Sequence, residues 1–337
     1  MGYLHHYLDR IGTLLRDPAM IEVAINGDGS VWTERAGEAV MTRAEIPGLD
    51  CNYPRDLARQ IANDQSLKLS EERPMISASV GFEGINLRCQ ALVPPASAEG
   101  TVLSFRLFRP RSAGAAPHRF DLMRDVTLSL EEERARILAR LRDRLQPGSE
   151  GGFDIFCREV VRQRLNVLIS GITSGGKTEL ARRLLWLVPP EQRLALIQDA
   201  SELLPDLPNV VNLIADREEG SPRGAERLLE ATLRLRPDRI IVGELRGIEA
   251  ITFLEAINTG HEGSFTTVHA HSARKALDRL AFMVSKGGLG MSYAEIQRYV
   301  RGAIDVVIQV GRTGAQRGVM EIWIPALDDA GNAEMPA

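Results

Sequence analysis

The sequence predicts an α/β fold in which a parallel-sheet domain follows a smaller α+β domain, and three observations predict it. After Gly152, short β-branched runs alternate with helical stretches: NVLIS, KTELARRLLWL, RLALIQ, RIIVG, IEAITFLEAIN, SFTTVH and ARKALDRLAFMV. Such alternation is the mark of parallel strands joined by crossover helices. The glycine-rich string GITSGGKT, Gly171 to Thr178, sits between the first of these strands and the first of these helices. Ahead of it, residues 1–107 carry shorter apolar runs separated by turn signals, IEVAIN before GDGS, VWTERAG, GINLRCQALVPP and TVLSFRLF, which read as a small α+β domain.

Taken in order, the first domain is expected to contain a hairpin turning near Asn26 to Ser30. From Arg109 to Gly152 the composition shifts to Pro, Ala, Arg and Gly, as in RPRSAGAAPHR and QPGSEGG, so residues 108–151 read as a linker. One helix is expected inside it, Ser129 to Leu145. Ser129 offers an N-cap ahead of three glutamates, and Ile137, Leu138, Leu141 and Leu145 recur on one face. Residues 152–337 form the parallel-sheet domain. Its last pair, DVVIQVG and GVMEIWIPA, reads as an antiparallel edge hairpin, and the polar tail DDAGNAEMPA is expected to fray.

Composition narrows the function. With 337 residues, 44% hydrophobic and 26% charged, the chain holds about two folded domains. A net charge of -4 excludes a surface that is basic throughout, as a general nucleic-acid or anionic-membrane binder requires. The linker helix interleaves its arginines with acids, which favours a solvated face and leaves direct nucleic-acid binding open. Cys51, Cys89 and Cys157 form no pair at metal-ligand spacing, pointing to a reducing, cytoplasmic setting. No apolar run is long enough for a membrane helix, and the start lacks a signal peptide's apolar stretch, so membrane association is expected through partners.

GITSGGKT fits GxxxxGK[ST] in the strand-then-helix context that the motif requires. Gly171, Thr173, Ser174, Gly175 and Gly176 let backbone N–H groups turn around phosphate oxygens, with Glu179 in the following turn. Lys177 reaches the terminal phosphates and the Thr178 hydroxyl ligates Mg²⁺, so ATP and Mg²⁺ are the expected ligands. Only four of the 41 basic residues are lysine, Lys68, Lys177, Lys275 and Lys286, and one stands at this position. Asp199 and Glu202 follow the strand Arg193 to Gln198, where a carboxylate either orients water on the γ-phosphate or caps the next turn. The strand in RIIVGELR, Arg239 to Arg246, ends in Gly243 and Glu244, a Walker B pattern in which Glu244 holds Mg²⁺ through water or polarises the nucleophile, or is simply an exposed strand-end carboxylate. Of His261, His269 and His271, His269 ends a strand, where it either senses the γ-phosphate or the attacking water or is, as a single such histidine more often is, a satisfied surface or core residue. Their spacing fits no metal pattern. Arg88 and Arg106 lie in strands of the first domain, where an arginine is usually a solvated face charge. Arg234, Arg236 and Arg246 are either salt-bridge partners or donors to a neighbouring subunit's nucleotide.

The ordered series GITSGGKT, QDASEL, LRLRPDRIIVGELRG and TGHEGSFTTVHAHS resembles the Walker A, Asp box, Walker B and His box of the type II/type IV secretion ATPase family. LLRDPAMIEVAINGDGSVWTERAGE and RCQALVPPASAEGTVLSFRLF resemble its VirB-type traffic ATPase branch, so the similarity runs from about Leu14 to Pro325. The resemblance implies a RecA-like ATPase, usually a hexameric ring, at the cytoplasmic face of the inner membrane of a conjugation or effector-secretion machine. Other secretion ATPases and inner-membrane components are the implied partners. It implies that Glu202 is the Asp-box general base, Glu244 the Walker B carboxylate and His269 the His-box residue. Arg88 and Arg106 match the arginines that reach the phosphates. Three departures stand out. Ile172 replaces a common Pro, Ser174-Gly175 reverses a Gly-Ser order, and Gln198 replaces the usual Glu before Asp199, putting one acidic contact to the metal shell in doubt. With no cysteine after Cys157, the four-cysteine zinc motif of the type II and pilus-extension branch is absent. A nucleotide-gated assembly switch and a pilus retraction or Tad-type ATPase share the same boxes. The short region ahead of the boxes tilts the expectation away from the Tad type.

Overall fold

The structure, a computed structural model, describes residues 2–110, 120–127, 129–145 and 151–332. In chain order the elements begin with α1 (Tyr3–Asp9), α2 (Gly12–Arg16), β1 (Met20–Ile25), β2 (Val31–Arg35), β3 (Thr42–Ala44), α3 (Tyr53–Asp64), β4 (Met75–Phe82), β5 (Ile85–Leu92) and β6 (Val102–Phe108). There follow α4 (Leu130–Asp143), α5 (Gly152–Arg162), β7 (Val167–Gly171), α6 (Lys177–Leu185), β8 (Leu194–Gln198), β9 (Val210–Ile214), α7 (Ala225–Thr232) and β10 (Arg239–Val242). The series ends with α8 (Glu249–Asn258), β11 (Phe265–Val268), α9 (Ala273–Ser285), α10 (Tyr293–Ala303), β12 (Val306–Thr313), β13 (Gln316–Trp323) and α11 (Pro325–Asn332). Contacts group the chain into two compact units, residues 1–110 with 189–244, and residues 111–188 with 245–337.

In the first unit, six strands form an antiparallel sheet ordered β3-β2-β1-β6-β5-β4. The expected hairpin is present: Asn26 N donates to Ser30 O at 2.9 Å, and Ser30 N donates to Asp28 Oδ1 at 2.9 Å. Strand alternation gives the sheet two unlike faces. Val23, Ile25, Leu87, Cys89, Leu103, Phe105 and Leu107 join Leu8, Leu15, Tyr53, Leu57 and Ile61 of the helices in the main core of this unit. The opposite face carries Glu22, Glu34, Arg88, Gln90, Ser104 and Arg106 in register.

That polar face belongs to the same unit as the parallel strands β10-β8-β9. Arg193, at the start of β8, is fully buried. Its Nη1 donates to Asn26 Oδ1 at 2.7 Å and to Asn209 Oδ1 at 2.5 Å, and its Nε donates to Leu235 O at 2.9 Å. Burial pushes this guanidinium down to about 10, still charged at neutral pH. Arg236 is a salt-bridge partner, with Nε 2.5 Å from Glu34 and Nη1 2.7 Å from Asp238. The segment after β5 also shields the β9 edge, through Ala98 N to Asn212 O and Ile214 N to Ala96 O, both 2.9 Å.

Glu22 sits among these charges at 4% exposure, its carboxylate accepting from Ser104 Oγ at 3.1 Å. Burial pushes its carboxyl up to about 7, against the opposing pull of the Ser104 hydroxyl and of Arg106. In the unfolded chain the group titrates near 4.5. The folded state therefore holds the proton longer, and stability falls as pH rises through the window between those two values. Glu22→Gln is expected to match the wild type near pH 4.5 and to exceed it at pH 8, by up to about 3 kcal/mol. Urea unfolding midpoints at both pH values check this, and an unchanged difference between the two proteins would refute it.

In the second unit the strand order is β13-β12-β7-β11. β12 and β11 run parallel to β7, while β13 pairs antiparallel with β12 as the expected edge hairpin. α4 begins as the sequence predicts, with Ser129 Oγ accepting from Glu132 N, and Leu138 and Leu141 are its buried residues. It belongs to this unit: Arg134 Nε and Nη2 each donate to Asp305 at 2.5 Å. The tail expectation needs correction for residues 328–332, which belong to the helix α11, Pro325–Asn332. Asp328 anchors it by accepting from Trp323 Nε1 at 2.7 Å and by pairing with Arg274. The rest of DDAGNAEMPA, residues 333–337, lies outside the described residues.

Candidate functional site

The phosphate loop follows β7, whose five residues are all buried and bring the chain to the carboxyl end of the strand. A Cβ on Gly171 would stand 2.6 Å from Val310 O of β12, so only glycine permits this close approach. Gly176 turns the loop into α6 at φ 104°, again a glycine conformation. As the N-cap of α6 it brings no side-chain oxygen to the first-turn amides, which leaves the arrangement that suits an anion at a helix N-terminus. Ser174, in the reversed Ser-Gly pair, stands at φ 60°, a left-handed conformation costing a non-glycine residue roughly 1 kcal/mol. Thr178 and Glu179 follow Lys177 in the first turn of α6.

β11 is parallel to β7 with Val268 opposite Ser170, so His269 emerges beside the loop. Lys177 Nζ donates to Gly171 O at 3.1 Å and to Ile172 O at 3.3 Å, and lies 3.2 Å from His269 Nδ1. The sequence placed both residues at this site, and the structure brings them together. Gln309 of β12, absent from the sequence expectations, supports the turn after His269 by donating from Nε2 to Ala270 O at 3.2 Å. Arg246 is exposed, its backbone N donating to Glu249 Oε1.

In the first unit, β8 and β10 end side by side, with Ile197 opposite Val242. Gly243 N donates to Ile197 O at 2.8 Å, which sets Glu244 at the same sheet end as the Asp199–Glu202 loop. Asp199 is 2.5 Å from Arg217 Nη2, an exposed ion pair. Gln198 explains its own departure from the family pattern. Its Oε1 accepts from Glu202 N and Leu203 N, at 3.0 and 2.9 Å, while its Nε2 donates to Leu203 O and Asn212 Oδ1, at 3.1 and 2.8 Å. A carboxylate has no N–H for the last two bonds. Gln198 thus braces the loop that presents the exposed Glu202.

Arg88 and Arg106 are cross-strand neighbours, both exposed, with their guanidinium carbons 4.7 and 5.9 Å from the Phe108 ring centroid. Arg234 lies on a cavity of about 440 Å³ in the first unit, with Ser77, Gln90 and Glu230. Among the described residues no cluster of three His, Cys, Asp or Glu side chains is placed to hold a metal. The Thr178 hydroxyl, in the first turn of α6, is nevertheless a donor of the kind that suits Mg²⁺, which takes one or two protein oxygens and completes its shell with water and phosphate.

Comparison with known proteins agrees with this geometry. The family model described as Type II/IV secretion system protein matches residues 148–313. The type IV secretion system protein VirB11 of Bartonella henselae is 31% identical over 330 residues, spanning 94% of this chain and 91% of its own length. VirB11 of Brucella suis is 32% identical over 336 residues, spanning 95% and 90%. The crystal structure of the VirB11 ATPase from the Brucella suis type IV secretion system, in complex with sulphate, superposes with a TM-score of 0.82 at 30% identity, covering 98% of this chain and 100% of that one.

Proposed function

Since the chain belongs to the type II/IV secretion ATPase family and is an ATPase with a RecA-like domain and a smaller N-terminal domain, we propose that it is a homo-hexameric ring motor powering type IV secretion or conjugative transfer. The observation that carries the reading is the gathering of Lys177 by the Gly171 and Ile172 carbonyls beside His269, at the N-terminus of α6. The sulphate in the Brucella suis relative supports an anion site in proteins of this kind.

In this reading Lys177 neutralises charge on the γ-phosphate, and first-turn amides and Thr178 hold the phosphates and Mg²⁺. The metal supplies charge neutralisation on the transferred group when bound. Glu202 and Glu244 orient and polarise the attacking water, His269 reports the state of the γ-phosphate, and Arg88, Arg106, Arg234 and Arg246 supply positive charge to bound nucleotide. Such pre-placed charge carries most phosphoryl-transfer catalysis. The domains are 1–107, an N-terminal domain, 108–151, a linker, and 152–337, the ATPase domain. Among the described residues no helix is long and apolar enough to cross a membrane. The proposed place of work is the cytoplasmic face of the inner membrane, held there by other secretion ATPases and inner-membrane components.

Light scattering with and without MgATP, together with phosphate release at increasing protein concentration, tests the ring. A mass near six subunits, with specific activity rising as the assembly forms, is expected. A monomer with full, concentration-independent activity would overturn it.

A further inference from the structure

Residues four apart on a helix share a face, and Lys275 and Arg279 are such a pair on α9. Both are exposed, and among the described residues neither side chain has a hydrogen-bond or ion-pair partner. Their situation differs from that of Arg274, one residue earlier, which pairs with Asp328. The nearby carboxylates are engaged elsewhere: Asp278 accepts from Gln297 Nε2 at 3.1 Å, and Glu321 accepts from Ala273 N at 2.9 Å. A cavity of about 460 Å³ opens between this cationic face and the phosphate loop, lined by Ile172, Thr173, His269, His271, Lys275 and Arg279. Its wall is thus continuous with the loop, and His269 touches both the cavity and Lys177.

We propose that this cavity is a holding site for inorganic phosphate, the product of the hydrolysis assigned to the phosphate loop, on which reading the proposal rests. No bond is made or broken there. The anion exchanges its contacts with Lys177 and the loop for contacts with Lys275 and Arg279. The guanidinium fork suits two phosphate oxygens and the ammonium acts as a compact point charge. An acidic segment of another protein is the alternative occupant of a cationic cleft. Phosphate is favoured because one wall of the cavity is the phosphate loop itself. Placing the product a step away from Lys177 separates cleavage from release, so phosphate departure is timed by Lys275 and Arg279 and not by the loop alone.

The test compares wild type with K275Q/R279Q in the full chain. Inorganic phosphate is titrated by calorimetry into ADP-saturated protein, and ADP and ATPγS are titrated separately. Because both side chains are exposed, circular dichroism and melting temperature are expected to be unchanged. The expected result is phosphate affinity at least about tenfold weaker in the double variant, with ADP and ATPγS affinity within twofold of wild type. In single-turnover experiments, phosphate release is expected to lag cleavage in the wild type and to follow it without lag in the variant. Equal phosphate affinity in the two proteins would overturn the proposal. So would a parallel loss of ATPγS affinity, which would assign the pair to the nucleotide, or an altered assembly mass with phosphate affinity intact, which would assign it to a protein contact. Failure of the wild type to bind ADP or ATPγS at all would instead strike the ATPase reading, so the two failures are distinguishable.

Discussion

Lys177→Ala is expected to lower ATP turnover by about a thousandfold, equivalent to about 4 kcal/mol of transition-state stabilisation. The loop concentrates its fixed positive charge in this one side chain, whose Nζ is gathered by the Gly171 and Ile172 carbonyls and lies 3.2 Å from His269. Alanine keeps the helix, because it is the best helix former and Leu180 N still bonds Gly176 O. The variant should therefore melt like the wild type while losing phosphate release. Lys177→Arg should fail nearly as badly, since a planar fork does not reproduce a compact ammonium within reach of two carbonyls. His269→Ala removes a neighbour and not the charge, so a loss nearer tenfold is expected. Steady-state phosphate release by the three purified variants is the measurement. Near wild-type turnover in Lys177→Ala would remove the loop from the chemistry.

The loop and its setting were legible in the sequence because backbone geometry demands them. Gly171 is forced by Val310 O, Gly176 by its positive φ, and the strand and helix around them by periodicity. The position of His269 was readable for a related reason, since parallel strands deliver their carboxyl ends to one edge. What composition and spacing could not reveal is which side chains support the site from a distance in sequence. Gln198 looked like a weakened acidic position and is a brace with four hydrogen bonds, two of which, those donated by its amide, a glutamate could not make. Gln309 and Ala270 are joined only because β12 lies beside β7. The same holds for the tail, whose polarity suggested fraying until Trp323 and Arg274 were found to anchor Asp328. Arg193 carried no motif and is buried because Asn26 and Asn209 converge on it from remote parts of the chain.

Asp305→Ala is expected to cost about 3 kcal/mol of stability, because one carboxylate satisfies three donors at short range, while the other acceptors near Arg134, Arg164 O at 3.4 Å and Glu262 at 3.9 Å, are more distant. Its oxygens accept from Arg134 Nε and Nη2, each at 2.5 Å, and from Asn166 N at 2.6 Å. The side chain of Asp305 is 6% exposed and that of Arg134 29%, so the pair is largely withdrawn from water. Burial disfavours the Arg134 charge, yet the hydrogen bonds and charge of Asp305 raise its pKa. Truncation leaves a half-buried cation with only the longer contacts to Arg164 O and Glu262, and a buried amide without its side-chain acceptor, a cost larger than the net worth of the pair. Asp305→Asn keeps one oxygen for Asn166 N and loses the charge, so it should fall between. Arg134→Met should cost less than Asp305→Ala, since Asn166 N keeps its acceptor and the methionine stem covers the same apolar surface. At about 2–4 °C per kcal/mol for a unit of this size, Asp305→Ala should lower the melting temperature by roughly 10 °C. Because Arg134 is the ion-pair link from α4 to the start of β12, Asp305→Ala and Arg134→Met should also speed proteolysis within 120–145. A melting temperature within about 2 °C of wild type, with no change in cleavage there, would mean that α4 is held chiefly by contacts other than this pair, such as the burial of Leu138 and Leu141. The ordering Asp305→Ala, Asp305→Asn, Arg134→Met therefore separates the acceptor's role in the strand ends from its role in holding the linker helix.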